Sequence, residues 1–411
     1  MQINRFSEIA LKNTPTVYIG CMTGTSVDAV ADFTAAIFAT NGTIQYHSNQ
    51  AVKLPSKLQS RLYTASTNYQ HLTAQDKIQL TEQLTLFLYQ AYLTVIDTWG
   101  LSQYPKTRII LSPHGQTIQH QPTQKITEQL LDGTLLANKT GYAVVHQHRT
   151  ACLQVSNAAP LAPILLQKIF AQSQTQQIII NGGGIANMCV LPQAPTANII
   201  GYDIGPANGP IDNLIQYYQI HQPHSLPTFA RQSQYDPHGK FSASGTLISS
   251  LYHNLSSHPF FSLPILQKSA DRNDFNLNWI GQETIAKYNA ADICHTVFQV
   301  IADSILKAIF THTQSNTPTA LYFYGGLCHN TFIMDRIKQG CRQQPAISIN
   351  TLTNLGYDPD FIESLLMAYL GFCVQQQRTI NLSYCAPEST RSANCIPGII
   401  TQPQQITTKR I

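Results

Sequence analysis

The chain has 411 residues, of which 43% are hydrophobic and 11% charged, with a formal net charge of +4. That length exceeds what one core usually holds, so two domains are expected, and the sparse charge, with no basic block beyond Lys409-Arg410, gives no sign of a nucleic-acid partner. Nine cysteines without a Cys-x-x-Cys pair, a Met1–Thr14 segment with no apolar core, and no run near the roughly 18 apolar residues of a membrane span lead us to expect a cytoplasmic, reducing location and no membrane partner.

In chain order, Val17–Cys21, Val30–Phe38 and Thr43–Lys53 read as strands, being β-branched or alternating. Leu80, Leu84, Phe87, Leu88, Ala91 and Val95 recur at helical spacing and predict a helix over 74–98. Short strands follow at 108–111 and 142–146. The second half repeats the grammar: strands at 177–181, 185–191 and 199–203, helices at 210–220, 245–254 and 284–312, a strand at 321–324, a helix at 330–339, a strand at 346–350 and a helix at 359–376. This repetition reads as a duplicated α/β unit. We divide it at 1–150, 151–380 and a polar tail, 381–411, expected to be loop or a wrapping arm.

Four glycine-bearing turns each follow a strand end, where ligands of open α/β sheets bind. They are Gly24-Thr25-Ser26-Val27-Asp28, Gly182-Gly183-Gly184 with Asn187, Asp203-x-Gly205-Pro206-x-Asn208, and Gly325-Gly326 with Asn330. Glycine lets backbone N–H groups approach a polyanion, hydroxyls add donors, and an acid such as Asp28 can hold a metal-bound water. The first turn alone is equally an ordinary hairpin; four together point to a nucleotide in a cleft between two domains.

Asp203, at a strand end before Gly-Pro, is either a general base with a raised pKa or a cap for the next helix. His114, with Gln116 and Thr117, sits after a strand and either binds a polar substrate or makes surface hydrogen bonds. The nearby His120, His146 and His148 match no zinc spacing. Lys268-Ser269 and Arg272 beside Phe275 suit a phosphate contact or a helix start, and Glu363 in an apolar helix faces solvent or a site.

With these residues in view, the chain resembles the anhydro-N-acetylmuramic acid kinases, of the actin, heat-shock ATPase and sugar kinase superfamily. The matches run collinearly from Tyr18 to Leu370. They include Gly20-x-Met22-x-Gly24-Thr25-Ser26-x-Asp28, His114-Gly115-Gln116-Thr117-Ile118, Asn181-x-Gly183-Gly184, Gly201-x-Asp203-x-Gly205-Pro206-x-Asn208, the Lys268 to Leu277 stretch and Gly325-Gly326. The resemblance implies two ribonuclease-H-like α/β domains around a cleft. It also implies ATP-dependent phosphorylation of 1,6-anhydro-N-acetylmuramic acid with addition of water, and magnesium bridging the phosphates. Asp203 would be the general base. Gly24, Thr25, Ser26, Val27, Asp28, Gly183, Gly184, Gly205, Asn208, Gly325, Gly326 and Asn330 would bind nucleotide, with Asp28 also the metal ligand. His114, Gln116, Thr117, Arg149 and Glu363 would face the sugar. A homodimer is an open expectation.

The chain departs from the family pattern in places. Ala29 and Ala31 replace Gly and Asp, although Asp32 lies one residue along. His146-Gln147-His148 and Val155 to Ala158 replace an acid-and-arginine stretch, leaving Arg149 one position away. Ala270-Asp271 replaces Thr-Gly, Asn273 replaces Glu, and Leu327 replaces a glycine, narrowing the adenine approach. These departures leave two alternatives: a non-catalytic nucleotide or sugar sensor, and a kinase for a different sugar.

Overall fold

The structure, a computed structural model, describes residues 14–23, 30–170, 175–193, 198–233, 235–270, 272–314, 317–386 and 392–404. Strands β1 (Val17–Met22), β2 (Val30–Phe38) and β3 (Ile44–Lys53) lead into helices α1 (Ser56–Thr67) and α2 (Ala74–Thr98). Next come β4 (Ile109–Pro113), the hairpin β5 (Gln116–Gln121) and β6 (Ile126–Leu130), α3 (Gly133–Thr140), β7 (Ala143–His146), α4 (His148–Cys152) and α5 (Ala162–Ile169). The second half holds β8 (Gln176–Gly182), β9 (Ile185–Leu191), β10 (Ile200–Pro206), α6 (Gly209–His221), α7 (Ala290–His312), β11 (Thr319–Tyr324), α8 (Thr331–Cys341) and β12 (Ile347–Thr351). The chain closes with α9 (Ile362–Gln375), β13 (Ile380–Asn381), β14 (Asn394–Cys395) and β15 (Ile399–Thr401).

Internal contacts divide the chain into Met1–Ala171 with Phe361–Ile411, and Gln172–Asp360. These boundaries differ from the expected cuts at 150 and 380. The reason is packing: α9 lies on β1, β2 and β4 and against α5, so both helices belong with the first sheet.

In the first unit the sheet runs β15-β7-β4-β1-β2-β3. β1–β2 and β2–β3 pair antiparallel, β1–β4 and β4–β7 parallel. β15 adds antiparallel to β7, so the polar tail contributes an edge strand. α2 starts at a Thr73/Asp76 capping box and buries Leu80, Leu84, Leu88, Ala91 and Val95 at helical spacing. α9 is buried on nearly every face. It approaches β1 so closely that a Cβ on Gly20 would stand 2.0 Å from the Ser364 carbonyl oxygen. Ser112 Oγ donates to Met367 O at 2.6 Å across the same interface.

The second unit's sheet runs β10-β9-β8-β11-β12. β8–β9 and β9–β10 are antiparallel, β8–β11 and β11–β12 parallel. Both units therefore carry the ribonuclease-H-like order, three antiparallel strands followed by two parallel ones. The helix expected over 284–312 is interrupted. Asn289 takes an extended conformation and its side chain accepts from Ala291 N–H, starting α7 afresh. α7 is long and apolar enough to cross a membrane by length and composition. Ile293, Val297, Ile301, Ile305 and Ile309 are nonetheless fully buried in the unit's core.

Candidate active site

Three of the four glycine turns converge in the second unit. β8 ends at Gly182, and the turn to β9 presents the carbonyls of Gly183 and Gly184. Asn208 N–H donates to Gly183 O at 3.0 Å, and Ala207 N–H to Gly184 O at 3.0 Å. Gly325 follows β11 at φ +76, where a Cβ would meet Asn181 Oδ1 at 2.4 Å; one on Gly326 would meet Asn208 Nδ2 at 3.2 Å. Side chains at these positions would collide with Asn181 and crowd Asn208, so glycine is what lets these turns pack against one another. α6 begins beside this turn, and its N-cap Asn208 makes no side-chain cap bond. The first amides of α6 are already engaged, Asn208 N–H by Gly183 O and Gly209 N–H by Gly184 O at 3.2 Å, and Pro210 has none, so these bonds tie the helix start to the β8–β9 turn.

Leu327 is only 1% exposed, with its Cβ packed where a side chain on Gly182 would sit. It is a core residue, which corrects the expectation that it narrows an adenine approach. Asn330 caps α8, its Oδ1 accepting from Ile333 N–H at 3.2 Å, so that side chain is engaged in the helix start.

Asp203 stands half-buried on β10, where the pairing with β9 slips between Asp203 and Gly205. Such a bulge re-aims side chains. Its N–H donates to Lys268 O at 3.3 Å, and its Oδ2 accepts from Ala270 N–H at 2.9 Å. Asn208, not Asp203, holds the N-cap position of α6. The irregular segment from Lys268 to Ala270 thus orients the carboxylate, a backbone role that no side-chain pattern announces. Lys268 itself lies over the Phe260 ring, 5.5 Å from its centroid, and burial pushes its pKa down.

In the first unit, Gly24, Thr25, Ser26, Val27 and Asp28 lie outside the described residues. The flanking strands pair antiparallel up to Met22 and Asp32. His114, after β4, is 5% exposed rather than a surface group. Its N–H donates to Cys21 O at 2.9 Å. Arg149 Nε donates to His114 Nε2 at 2.9 Å, which assigns the proton to Nδ1, hydrogen-bonded to Gly115 O at 2.8 Å. Arg149 Nη1 also donates to Ala158 O at 2.8 Å. His114 and Arg149 thus form one unit, a pairing that sequence spacing of 35 residues does not reveal.

Gln116 is 1% exposed, and its Oε1 has no hydrogen-bond partner among the described residues. A buried orphan acceptor costs about 1–3 kcal/mol, so it points to a ligand or water. Thr117 Oγ1 accepts from Gln129 Nε2 at 3.4 Å. Glu363 is half-buried in the first turn of α9. The altered 146–158 stretch has its own task. His148 Nδ1 donates to Pro397 O at 2.7 Å and His146 Nε2 contacts Thr401 Oγ1 at 2.9 Å, so both histidines anchor the C-terminal arm.

These histidines make stability pH-dependent. Burial, then Arg149, holds His114 well below its usual 6.5, and burial pushes His148 down to about 4. Below pH 6.5 the unfolded chain takes up protons that the folded chain refuses, so stability falls as pH drops through that value. Each histidine contributes up to about 1.4 kcal/mol per pH unit in this window. The thermal midpoint is expected to decline steadily from pH 7 to pH 5; a midpoint flat over that range contradicts the assignment.

A family model described as Anhydro-N-acetylmuramic acid kinase matches residues 16–394. An Anhydro-N-acetylmuramic acid kinase of Idiomarina loihiensis is 31% identical over 89% of this chain and 94% of its own length. Proteins of the same name from Aliivibrio fischeri and Acinetobacter baylyi are 29% and 28% identical, over 86% and 89% of this chain and 91% and 94% of theirs.

Proposed function

The chain belongs to the anhydro-N-acetylmuramic acid kinase family, and from that premise we propose that it converts 1,6-anhydro-N-acetylmuramic acid, water and ATP to N-acetylmuramic acid 6-phosphate and ADP in peptidoglycan recycling. The observation that carries this reading is the convergence of Gly183, Gly184, Asn208, Gly325 and Gly326 at the strand ends of the unit that also holds the oriented Asp203 carboxylate. In this reading that cluster would line the nucleotide. Such chemistry asks the protein for positioning and charge stabilisation more than covalent work.

In this reading Asp203 takes the proton of the water that attacks the anomeric carbon, and opening of the bridge frees the 6-oxygen to meet the γ-phosphate. The Ala270 N–H fixes the carboxylate's orientation while that proton is transferred. His114, held neutral, and Arg149 would set the sugar's orientation, with Thr117 and Glu363 beside them. Magnesium would neutralise phosphate charge, and Asp28 is the candidate to hold it. The test is ADP release with the anhydro sugar and Mg-ATP, with the product identified by mass; no turnover counts against the proposal.

Gln116 supplies a sharper check. Among the described residues Gln116 Oε1 has no partner and its Nε2 makes only a long bond, 3.5 Å to Thr117 O, so an apolar side chain of similar size should cost folding little. Gln116→Leu should therefore leave the thermal midpoint unchanged and raise KM for the sugar about tenfold. An unchanged KM removes Gln116 from the sugar contacts.

A further inference from the structure

We infer that Cys328, His329 and Asp360 form a binding site for a zinc-class divalent cation: their ligand atoms all lie within 4.8 Å of one another, and His329 Nε2 stands 2.8 Å from Asp360 Oδ1. This inference is independent of the kinase reading.

The three donors come from two short turns. Cys328 and His329 lie in the 3-10 turn Gly326–His329, where Cys328 N–H donates to Gly325 O at 3.1 Å. Asp360 lies in the turn Pro359–Phe361, with its N–H on Asp358 Oδ1 at 3.1 Å. A backbone bond holds the first turn and the Asp358 carboxylate holds the second, while the side chains of Cys328, His329 and Asp360 keep freedom to adjust. A tetrahedral cation wants donors roughly 3–4 Å apart, so a shift of about 1 Å closes the set.

As an ion pair alone the arrangement does little. The His329 and Asp360 side chains are 54% and 48% exposed, and such pairs contribute little to stability. The half-buried sulfur beside them changes the chemistry. Thiolate, imidazole and carboxylate together form a borderline-soft set that selects zinc over magnesium or calcium. Three protein ligands leave a fourth position for water or another ligand. The ligands follow directly on Gly325-Gly326, and Asp360 is the last residue of its unit before the chain enters α9. A bound cation would tie the glycine turn to that exit segment.

The experiment uses full-length protein stripped of metal, without nucleotide (which would chelate zinc), titrated calorimetrically with zinc chloride in excess magnesium. One equivalent should bind. Cobalt(II) should give a near-ultraviolet sulfur-to-metal charge-transfer band that disappears in Cys328→Ser, and His329→Ala and Asp360→Asn should each weaken zinc binding at least about tenfold. Zinc should also protect Cys328 of the unaltered protein from alkylation, mapped by mass spectrometry, which decides the matter if a variant misfolds. No stoichiometric uptake, uptake unchanged in the variants, or alkylation of Cys328 unaffected by zinc overturns the site.

Discussion

Asp203→Asn should lower kcat by about a thousandfold, within the range expected for loss of a general base, while the protein stays folded. The substitution keeps the shape of the side chain. The Asn Oδ1 can still accept the Ala270 N–H that Asp203 Oδ2 accepts at 2.9 Å, so the link between β10 and the Lys268 to Ala270 segment survives. What is lost is the basicity that removes a proton from attacking water. KM for ATP should move little, because no glycine and no backbone group of the turns is changed. The measurement pairs steady-state ADP release with a thermal melt. A rate within tenfold of the parent would remove Asp203 from the base role, and a collapse of the melt would show a structural one.

Gly20→Ala should cost at least about 3 kcal/mol of stability, the upper end for forcing extra volume into a packed core. The added methyl would lie 2.0 Å from Ser364 O and 2.3 Å from Ala368 N, both backbone atoms of α9. α9 cannot yield easily: its own Leu365, Leu366, Ala368, Leu370 and Phe372 are buried, and Thr34 Oγ1 and Ser364 Oγ share a hydrogen bond of 2.6 Å. Gly183→Ala is the control. Its methyl would meet only Ile185 O, at 3.9 Å, so folding should be unharmed. Urea unfolding of both variants gives the comparison; equal stabilities would refute the close-packing account. Gly20 also shows that a glycine within a family motif can serve helix packing rather than a phosphate.

Much of the fold was readable in the chain because the relevant signal is local. The 3.6-residue spacing of Leu80 to Val95 marks α2 over 74–98, as the structure has it. The runs 30–38 and 185–191 mark β2 and β9 with the bounds observed. Local patterning failed where its signal is weak. The β5–β6 hairpin is too polar to alternate cleanly, and the restart at Asn289 rests on a cap rather than on any change in apolar spacing.

By itself the sequence determined most strands of the two main sheets, the longest helices, the order of the glycine turns and the family, since each depends on residues a few positions apart or on motifs in fixed order. Tertiary structure decided the rest. It assigned α9 to the first sheet through Gly20 and Ser364, joined Arg149 to His114, oriented Asp203 through a backbone N–H from residue 270, made Leu327 a core residue and Asn330 a helix cap, and brought Asp360 to Cys328 and His329. Each of these joins positions far apart in the chain. Such contacts form because side chains fill each other's space and satisfy each other's hydrogen bonds, and no local pattern encodes which distant partner will do so.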